Sequence, residues 1–74
     1  MLTFEEAKKK ARKLEPRVNN CTETLDAFIF GISDSTDIGE EPIVVMKNNG
    51  KVISITGYLD KSDKTEEIKD WGEF

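Results

Sequence analysis

The clearest pattern of hydrophobic and polar positions lies in residues 42–58, where two runs rich in β-branched side chains flank Asn49 and Gly50. An Asn-Gly pair favours the two positive φ angles of a type I′ turn, so this segment predicts a β-hairpin. With Asn49 and Gly50 as the loop, Met46 lies opposite Ile53. Alternate residues of a strand point to the same face of a sheet. The predicted register therefore gives the hairpin one wholly apolar face, which consists of Val44, Met46, Ile53 and Ile55.

The N-terminal residues show the spacing of an amphipathic helix. Thr3 and Glu6 match a capping box, which predicts that the helix begins there. Pro16 disfavours helical geometry in the residue before it, so the helix should end at about Leu14. Its apolar residues recur at three- and four-residue spacing and include two alanines, so a sheet could approach closely: Phe4, Ala7, Ala11 and Leu14.

Between the helix and the hairpin, residues 24–32 carry a strand-like run with large apolar groups on both faces. Phe28 and Phe30 supply the most apolar area, so we expect them to face the first helix. Residues 33–41 are polar and acidic and should form an irregular connection. Beyond the hairpin, residues 62–71 predict a short, charged helix with few apolar anchors.

Together these elements predict an α+β domain of two layers. An N-terminal helix packs on a three-stranded antiparallel β-meander, and a short C-terminal helix follows. Strand order 1-2-3 is expected because sequential strands are usually adjacent, and order 2-3-1 is the alternative. We expect one domain over residues 1–74, with an ordered α-β-β-β unit over 1–60 and a charged helical tail over 61–74.

The predicted sheet has a second apolar face that one short helix cannot cover. Either the tail folds back and places Ile68 and Trp71 on this face, or the face stays exposed and docks a protein partner or a second copy. The candidate protein interface therefore consists of the apolar residues assigned to this face and the aromatic residue of the tail: Ile43, Val45, Val52, Leu25, Ile29 and Trp71.

Composition argues against several classes of enzyme. The 74 residues include one cysteine and no histidine, so an intrachain disulfide is impossible and the common zinc, haem and iron–sulfur ligand sets are lacking. A serine or Cys21 nucleophile would lack its usual histidine base, and the glycines form no phosphate-binding loop. We therefore expect a protein that is not an enzyme, with no catalytic residues, cofactor or metal.

Charged residues suggest two further sites, each with a simpler explanation. The connection carries carboxylates that could bind Ca²⁺ or Mg²⁺, but their spacing does not fit an EF-hand, and a solvated acidic connection explains them: Asp34, Asp37, Glu40 and Glu41. The helix carries six basic residues that could bind phosphate or an acidic partner, or simply be solvated: Lys8, Lys9, Lys10, Arg12, Lys13 and Arg17. A net charge of −4 makes nucleic acid a less favoured partner.

The first twenty residues contain many cations and no long apolar run. This pattern does not fit a signal peptide or a membrane span. We therefore expect a cytoplasmic protein that does not associate with a membrane.

The order of elements, with Ala27-Phe28-Ile29-Phe30 in one strand and the proline, aliphatic, lysine and glycine hairpin over residues 41–52, resembles the small YrhB-like immunity proteins of bacterial toxin systems. The resemblance covers about residues 3–58. It implies a cytoplasmic protein that neutralises a partner by binding it, and it implies no catalytic residue. We expect a small bacterial or phage protein with an immunity or inhibitor role; the alternative is a domain that binds nucleic acid or mimics DNA.

Overall fold

A computed structural model describes residues 2–33 and 41–74 and shows an α+β fold. An N-terminal helix, a five-stranded antiparallel sheet and a second helix make up the described chain. In chain order the elements are α1 Phe4–Leu14, β1 Asn20–Thr24, β2 Ala27–Gly31, β3 Ile43–Met46, β4 Val52–Ser54, α2 Ile55–Lys61 and β5 Glu67–Glu73.

The strands lie in the order β4-β3-β2-β1-β5. Strands β1 to β4 are therefore adjacent in sequence and in space, as expected for consecutive antiparallel strands. The last strand crosses back to pair with the outer side of β1. The α+β class is confirmed, and the three-stranded sheet is wrong because two further segments, β1 and β5, join the sheet.

Helix α1 begins at the predicted capping box. The Glu6 amide donates to Thr3 Oγ1 at 3.3 Å, and the Thr3 amide donates to Glu6 Oε1 at 3.3 Å. These bonds satisfy amide groups that a helix start leaves without an intrahelical acceptor. The helix ends at Leu14, before Pro16, as the sequence predicts.

The buried side of α1 lies against β2 and β3. Ala7 and Ala11 are fully buried, and their small side chains allow the helix backbone to approach the sheet. Phe4 packs on Phe28 and Phe30, with ring centroids 6.1 Å from each. The group that we call the α1 core contains Ala7, Ala11, Val18, Cys21, Phe28, Phe30 and Val45, with Leu2, Phe4, Ile32, Ile43, Trp71 and Phe74 packed at its border.

A second core lies on the opposite face of the sheet, under α2. Tyr58 from α2 is fully buried together with Ala27 and Val44. Four partly buried residues complete what we call the α2 core: Ile29, Met46, Ile53 and Ile55. Because neighbouring residues of a strand point to opposite faces, Val44 and Val45 contribute to different cores. The domain thus has a helix on each face of the sheet, and the predicted two-layer arrangement is wrong.

The hairpin of β3 and β4 exists, but its predicted register is wrong by two residues. Val45 lies opposite Val52 and Val44 opposite Ile53, so residues 47–50 form the connection. Gly50 has a φ of 68°, whereas Asn49 has no positive φ, so a type I′ turn cannot form. A shift of two keeps side-chain parity, and Val44, Met46 and Ile53 still share one face.

The strand predicted over residues 24–32 corresponds to β2, and a tight turn joins it to a further strand, β1, that was not predicted. Thr24 ends β1, and its Oγ1 accepts a hydrogen bond from the Ala27 amide at 3.1 Å as β2 begins. β1 lies mostly in the stretch that the sequence assigns to a connection, because its residues are largely polar. Cys21 is the member of β1 that enters the α1 core.

The predicted helix over residues 62–71 is also wrong. Residues 55–61 form α2 instead, and the Gly57 amide donates to the Ser54 side chain at its start at 3.0 Å. The following segment forms β5, so the second half of the proposed helical tail over 61–74 is a strand. Pairing with β1 provides backbone hydrogen bonds to this charged segment. Trp71 stacks on Phe4 with 4.0 Å between the ring centroids, and Phe74 packs edge-on against the same ring at 5.8 Å.

The close approach of α1 gives a test of this packing. We expect Ala11→Leu to lower the free energy of unfolding by about 1–3 kcal/mol, because the larger side chain must push the helix from the sheet. Lys9→Leu introduces the same side chain at an exposed position of the helix and should change stability by about 0.5 kcal/mol or less. Urea unfolding followed by circular dichroism measures both, and equal stability of the two variants would contradict the packing.

Candidate functional site

The six residues of the predicted interface do not share a face. Ile43, Val45 and Trp71 belong to the α1 core or its border, whereas Ile29 borders the α2 core. The reason is the register of β2 and β3, in which Phe28 lies opposite Val45 and therefore on the same face. A common apolar face for the six residues is thus wrong.

Only two of the six residues remain largely accessible. Leu25 lies in the turn between β1 and β2 and is 55% exposed. Val52 lies on β4, at one edge of the sheet, and is 39% exposed. The second sheet face is covered by α2 rather than by the tail, and Ile68 stays 50% exposed on β5.

A polar cluster fastens α2 to the turn between β1 and β2. Asp26 Oδ1 accepts a hydrogen bond from the Tyr58 hydroxyl at 2.5 Å, and Asp26 Oδ2 accepts one from the Ser62 hydroxyl at 2.7 Å. Thr24 Oγ1 lies 2.6 Å from the Tyr58 hydroxyl oxygen. We call these four residues the Asp26 cluster. Beside them lies an open groove of about 290 Å³, which Met46, Ile53, Lys61 and Lys64 also line.

The Asp26 cluster keeps its protonation state near neutral pH. Burial alone would raise the pKa of Asp26, but hydrogen bonds from Tyr58, Ser62 and Thr24 outweigh this effect and lower the pKa. Burial, and then the hydrogen bond to Asp26, raise the pKa of Tyr58. An ionised acceptor and a neutral donor therefore face each other, which suits a structural link better than proton transfer.

A second polar cluster lies on the α1 side of the sheet around a buried lysine. Lys47 Nζ donates to Glu23 Oε2 at 2.5 Å and to the Thr24 carbonyl at 2.8 Å. Its ammonium lies 5.1 Å from the centroid of the Phe28 ring. Trp71 Nε1 donates to the other oxygen of Glu23 at 2.9 Å, so one carboxylate joins the residue after β3 to β1 and β5. We call Lys47, Glu23 and Trp71 the Lys47 cluster.

The carboxylate of the Lys47 cluster is stabilised in its ionised form. Burial alone would raise the pKa of Glu23, but hydrogen bonds from Lys47 and Trp71, together with nearby positive charge, lower it. Only 8% of the Lys47 side chain and 16% of the Glu23 side chain are exposed. A pair this buried depends on both partners, because either charge alone would lose its compensation.

Of the residues in these clusters, sequence reasoning singled out Trp71 alone, as part of an apolar interface and not as a partner of Glu23. Lys47 ends an aliphatic run, and a lysine at this point of the sequence is equally consistent with an exposed hairpin position. Its acidic partner lies 24 residues away in sequence, and 32 residues separate Tyr58 from Asp26. Separations of this size leave no periodic signal, so only the fold brings the partners together.

The thiol of Cys21 lies in the α1 core with 1% of the residue exposed. Burial raises its pKa to about 12, and the nearby Glu23 carboxylate acts in the same direction. A thiol in this state carries almost no thiolate at neutral pH and is a poor nucleophile. Cys21 therefore acts as a small apolar residue in the described structure.

Of the predicted acidic connection, Asp34, Asp37 and Glu40 lie outside the described residues, and Glu41 is exposed. Within residues 2–33 and 41–74, no group of three or more cysteine or acidic side chains is arranged to hold a metal ion.

The basic residues of α1 form an exposed surface around a fixed helix. Lys9, Arg12 and Lys13 are exposed, and Lys10 Nζ donates to the Gly50 carbonyl at 3.1 Å. Lys8 lies at one border of this surface, where its ammonium and the Arg12 guanidinium lie 4.5 Å and 4.9 Å from the centroid of the Phe74 ring. We call the outward side chains of Lys9, Lys10, Arg12 and Lys13 the basic face.

Charge is distributed unevenly between this helix and the rest of the chain. Residues 1–17 contain six basic and three acidic residues, whereas residues 18–74 contain five basic and twelve acidic ones. The first segment thus carries a formal charge of +3 and the remainder −7. This separation of charge gives the domain a strong electrical polarity, which can orient an approaching charged partner.

The lowered pKa values of Glu23 and Asp26 predict how stability depends on pH. Groups with lowered folded-state pKa values stabilise the fold above their unfolded-state values and lose this contribution as the pH falls through the folded-state values. We expect the melting temperature to fall from about pH 5 downward. Thermal melts of Glu23→Gln and Asp26→Asn should converge on the wild type in acid, whereas Glu67→Gln, which removes an exposed carboxylate of β5, should follow the wild type throughout.

The buried ion pair gives a second prediction. Lys47→Met should lower the free energy of unfolding by about 3–5 kcal/mol, because it leaves the Glu23 carboxylate without its cation. The double variant Lys47→Met with Glu23→Gln should lose less than the sum of the single losses, since no unpaired charge remains. Chemical denaturation of the four proteins measures this coupling, and strictly additive losses would show that the pair does not act as a unit.

Both helices of the described chain are too short and too polar to span a membrane. Comparison with known proteins gives no assignment: no family model, no curated protein and no solved structure matches this chain. The function must therefore be inferred from the contacts and charges of the chain itself.

Proposed function

We propose that this chain is a non-catalytic binding protein that recognises an acidic surface of a partner protein through the basic face of α1. The observation that carries the proposal is the separation of charge, with +3 on residues 1–17 and −7 on the remainder. Complementary potentials of this kind accelerate association and orient the partners as they meet.

The helix presents its cations on a backbone that is already ordered. A capping box fixes its start, and Ala7 and Ala11 fix its inner side against the sheet. Lys10 is also held at its tip by the Gly50 carbonyl. Binding therefore needs to order only side chains such as Lys9 and Lys13, which lowers the entropic cost of association.

Internal contacts engage the groups that could otherwise perform chemistry. Asp26 and Tyr58 bond to each other, and Glu23 is shared between Lys47 and Trp71. The buried thiol of Cys21 has a raised pKa. These contacts support a role in binding over one in acid–base or nucleophilic catalysis.

The twelve acidic residues that follow position 17 favour a protein partner over nucleic acid. A nucleic-acid backbone would meet repulsion from this larger part of the domain, whereas a compact acidic patch needs to contact only the basic face. The sequence resemblance to YrhB-like immunity proteins supports an immunity or inhibitor role, in which binding occupies the partner's working surface.

Photocrosslinking in the source cell tests the proposal. A benzophenone amino acid at position 9 should give a discrete protein adduct, and Lys13→Glu in the same chain should remove most of it. The same photoreactive residue at position 61, an exposed lysine position on α2, serves as the matched control. An adduct at position 61 but not at position 9, or an adduct that Lys13→Glu leaves unchanged, would overturn the proposal. An adduct removed by nuclease would assign the basic face to nucleic acid.

A further inference from the structure

The two edges of the sheet differ in how they could accept another strand. β5 forms one edge, and its pairing with β1 contains two register irregularities, one between Cys21 and Thr22 and one between Glu23 and Thr24. Its exposed side chains include Glu67, Lys69 and Asp70. Irregular pairing and charge are two devices by which proteins block edge-to-edge pairing, so this edge is protected.

β4 forms the other edge and lacks both devices. It pairs with β3 without a register shift, and its three residues, Val52, Ile53 and Ser54, are uncharged. Within residues 2–33 and 41–74 no strand pairs with its outer side. Regular, uncharged and uncovered edges are the ones that extended peptides join as an added strand.

The hydrogen-bond pattern shows which backbone groups of β4 face outward. The Met46 amide donates to the Lys51 carbonyl at 2.8 Å, which makes this facing pair a bonded one. Bonded and non-bonded pairs alternate along antiparallel strands, so Val44 and Ile53 form the next bonded pair. The amide and carbonyl of Val52 and the amide of Ser54 therefore point away from the sheet, where an added strand would pair.

Side chains next to this edge define the chemistry of the segment that would join it. The Lys10 ammonium lies on the Gly50 carbonyl, beside Lys51 and at the turn end of β4. Val52 is an exposed apolar group on the strand itself. The edge thus carries an exposed valine and is basic at its turn end.

We infer that the outer edge of β4 accepts an extended segment of the partner protein, which adds a sixth strand and places acidic side chains near Lys10 and Lys51. The inference rests on the proposed function and gives its mode of recognition. Backbone pairing at Val52 and Ser54 supplies the register, and the acidic end supplies the complement to the two lysines.

Titration of the ¹⁵N-labelled full chain with a peptide panel tests the inference. The probes are acetylated and amidated nine-residue peptides that alternate valine and threonine and carry two glutamates at the N-terminal end, at the C-terminal end or at neither. One glutamate placement should give saturable amide shifts centred on Val52 and Ser54 and slow the exchange of these two amides at least tenfold. The end that must carry glutamate reports the direction of the added strand.

Matched variants separate backbone pairing from charge alone. N-methylation of alternate peptide residues removes the donors that face β4 and should abolish the shifts, whereas methylation of the intervening residues should not. Val52→Ala keeps the outward amide and should keep most of the binding; Val52→Pro removes this amide and should abolish it. If Val52→Pro fails to fold, the two methylated peptides still distinguish backbone pairing from binding by charge alone.

Several results would overturn the inference. Equal shifts with both methylated peptides, or shifts confined to the basic face, would show charge-driven binding and leave the proposed function intact. Absence of saturable shifts with every peptide, alongside a positive crosslink at position 9, would reject strand addition alone. Shifts at Val52 and Ser54 that grow with protein concentration in the absence of peptide would assign this edge to a second copy of the chain.

Discussion

Burial of the Lys47 ammonium fixes how the end of β3 meets the β1–β2 turn and the start of α1. An ammonium removed from water requires acceptors in a fixed geometry, and here they are the Glu23 carboxylate and the Thr24 carbonyl. The backbone of the same lysine is engaged as well: its amide donates to the Asp26 carbonyl at 2.9 Å, and its carbonyl accepts from the Leu2 amide at 3.0 Å. One residue thereby joins the end of β3 to the β1–β2 turn and to the start of α1.

The end of β1 serves both faces of the sheet because consecutive residues of a strand point in opposite directions. Glu23 turns toward α1 and bonds Lys47 and Trp71. Thr24 turns toward α2 and bonds Tyr58, which in turn bonds Asp26. A domain of 74 residues has limited apolar area to bury, so α2, the residue after β3 and the last strand gain directional contacts from this one polar end. Polar networks of this kind stabilise only while every member is satisfied.

The sequence predicted those features that depend on local patterns. The capping box of α1 and its inward-facing alanines follow from short-range spacing, and the placement of Phe28 and Phe30 against this helix follows from their large apolar area. The structure confirms all three. The existence of the hairpin of β3 and β4 was likewise predictable. Its register was not. Lys47 belongs to the Lys47 cluster and does not pair with β4, and Asn49 does not take the positive φ that the turn type requires.

The elements that were missed owe their structure to distant partners. β1 and β5 contain too few apolar residues to read as strands, yet each supplies the hydrogen-bond partner that the other requires. Dependence on distant partners also explains why the six residues of the predicted interface do not share a face. Ile43 and Val45 alternate correctly within their own strand, but which of the two strand faces meets α1 depends on the register with β2, and the sequence carries no local record of it.

The internal networks also determine which polar groups of the surface can contact a partner. Glu23, Asp26, Lys47 and Tyr58 satisfy one another, so the proposed recognition of a partner depends on groups outside the clusters. Trp71 closes the sheet at β5 through its bond to Glu23 and its stacking on Phe4, and this edge gains irregular pairing and charge in addition. β4 has no equivalent anchor on its outer side in the described chain. A fold that concentrates its directional contacts at the end of β1 therefore leaves its opposite edge, beside the basic face of α1, as the surface where backbone and charge are both available to a partner.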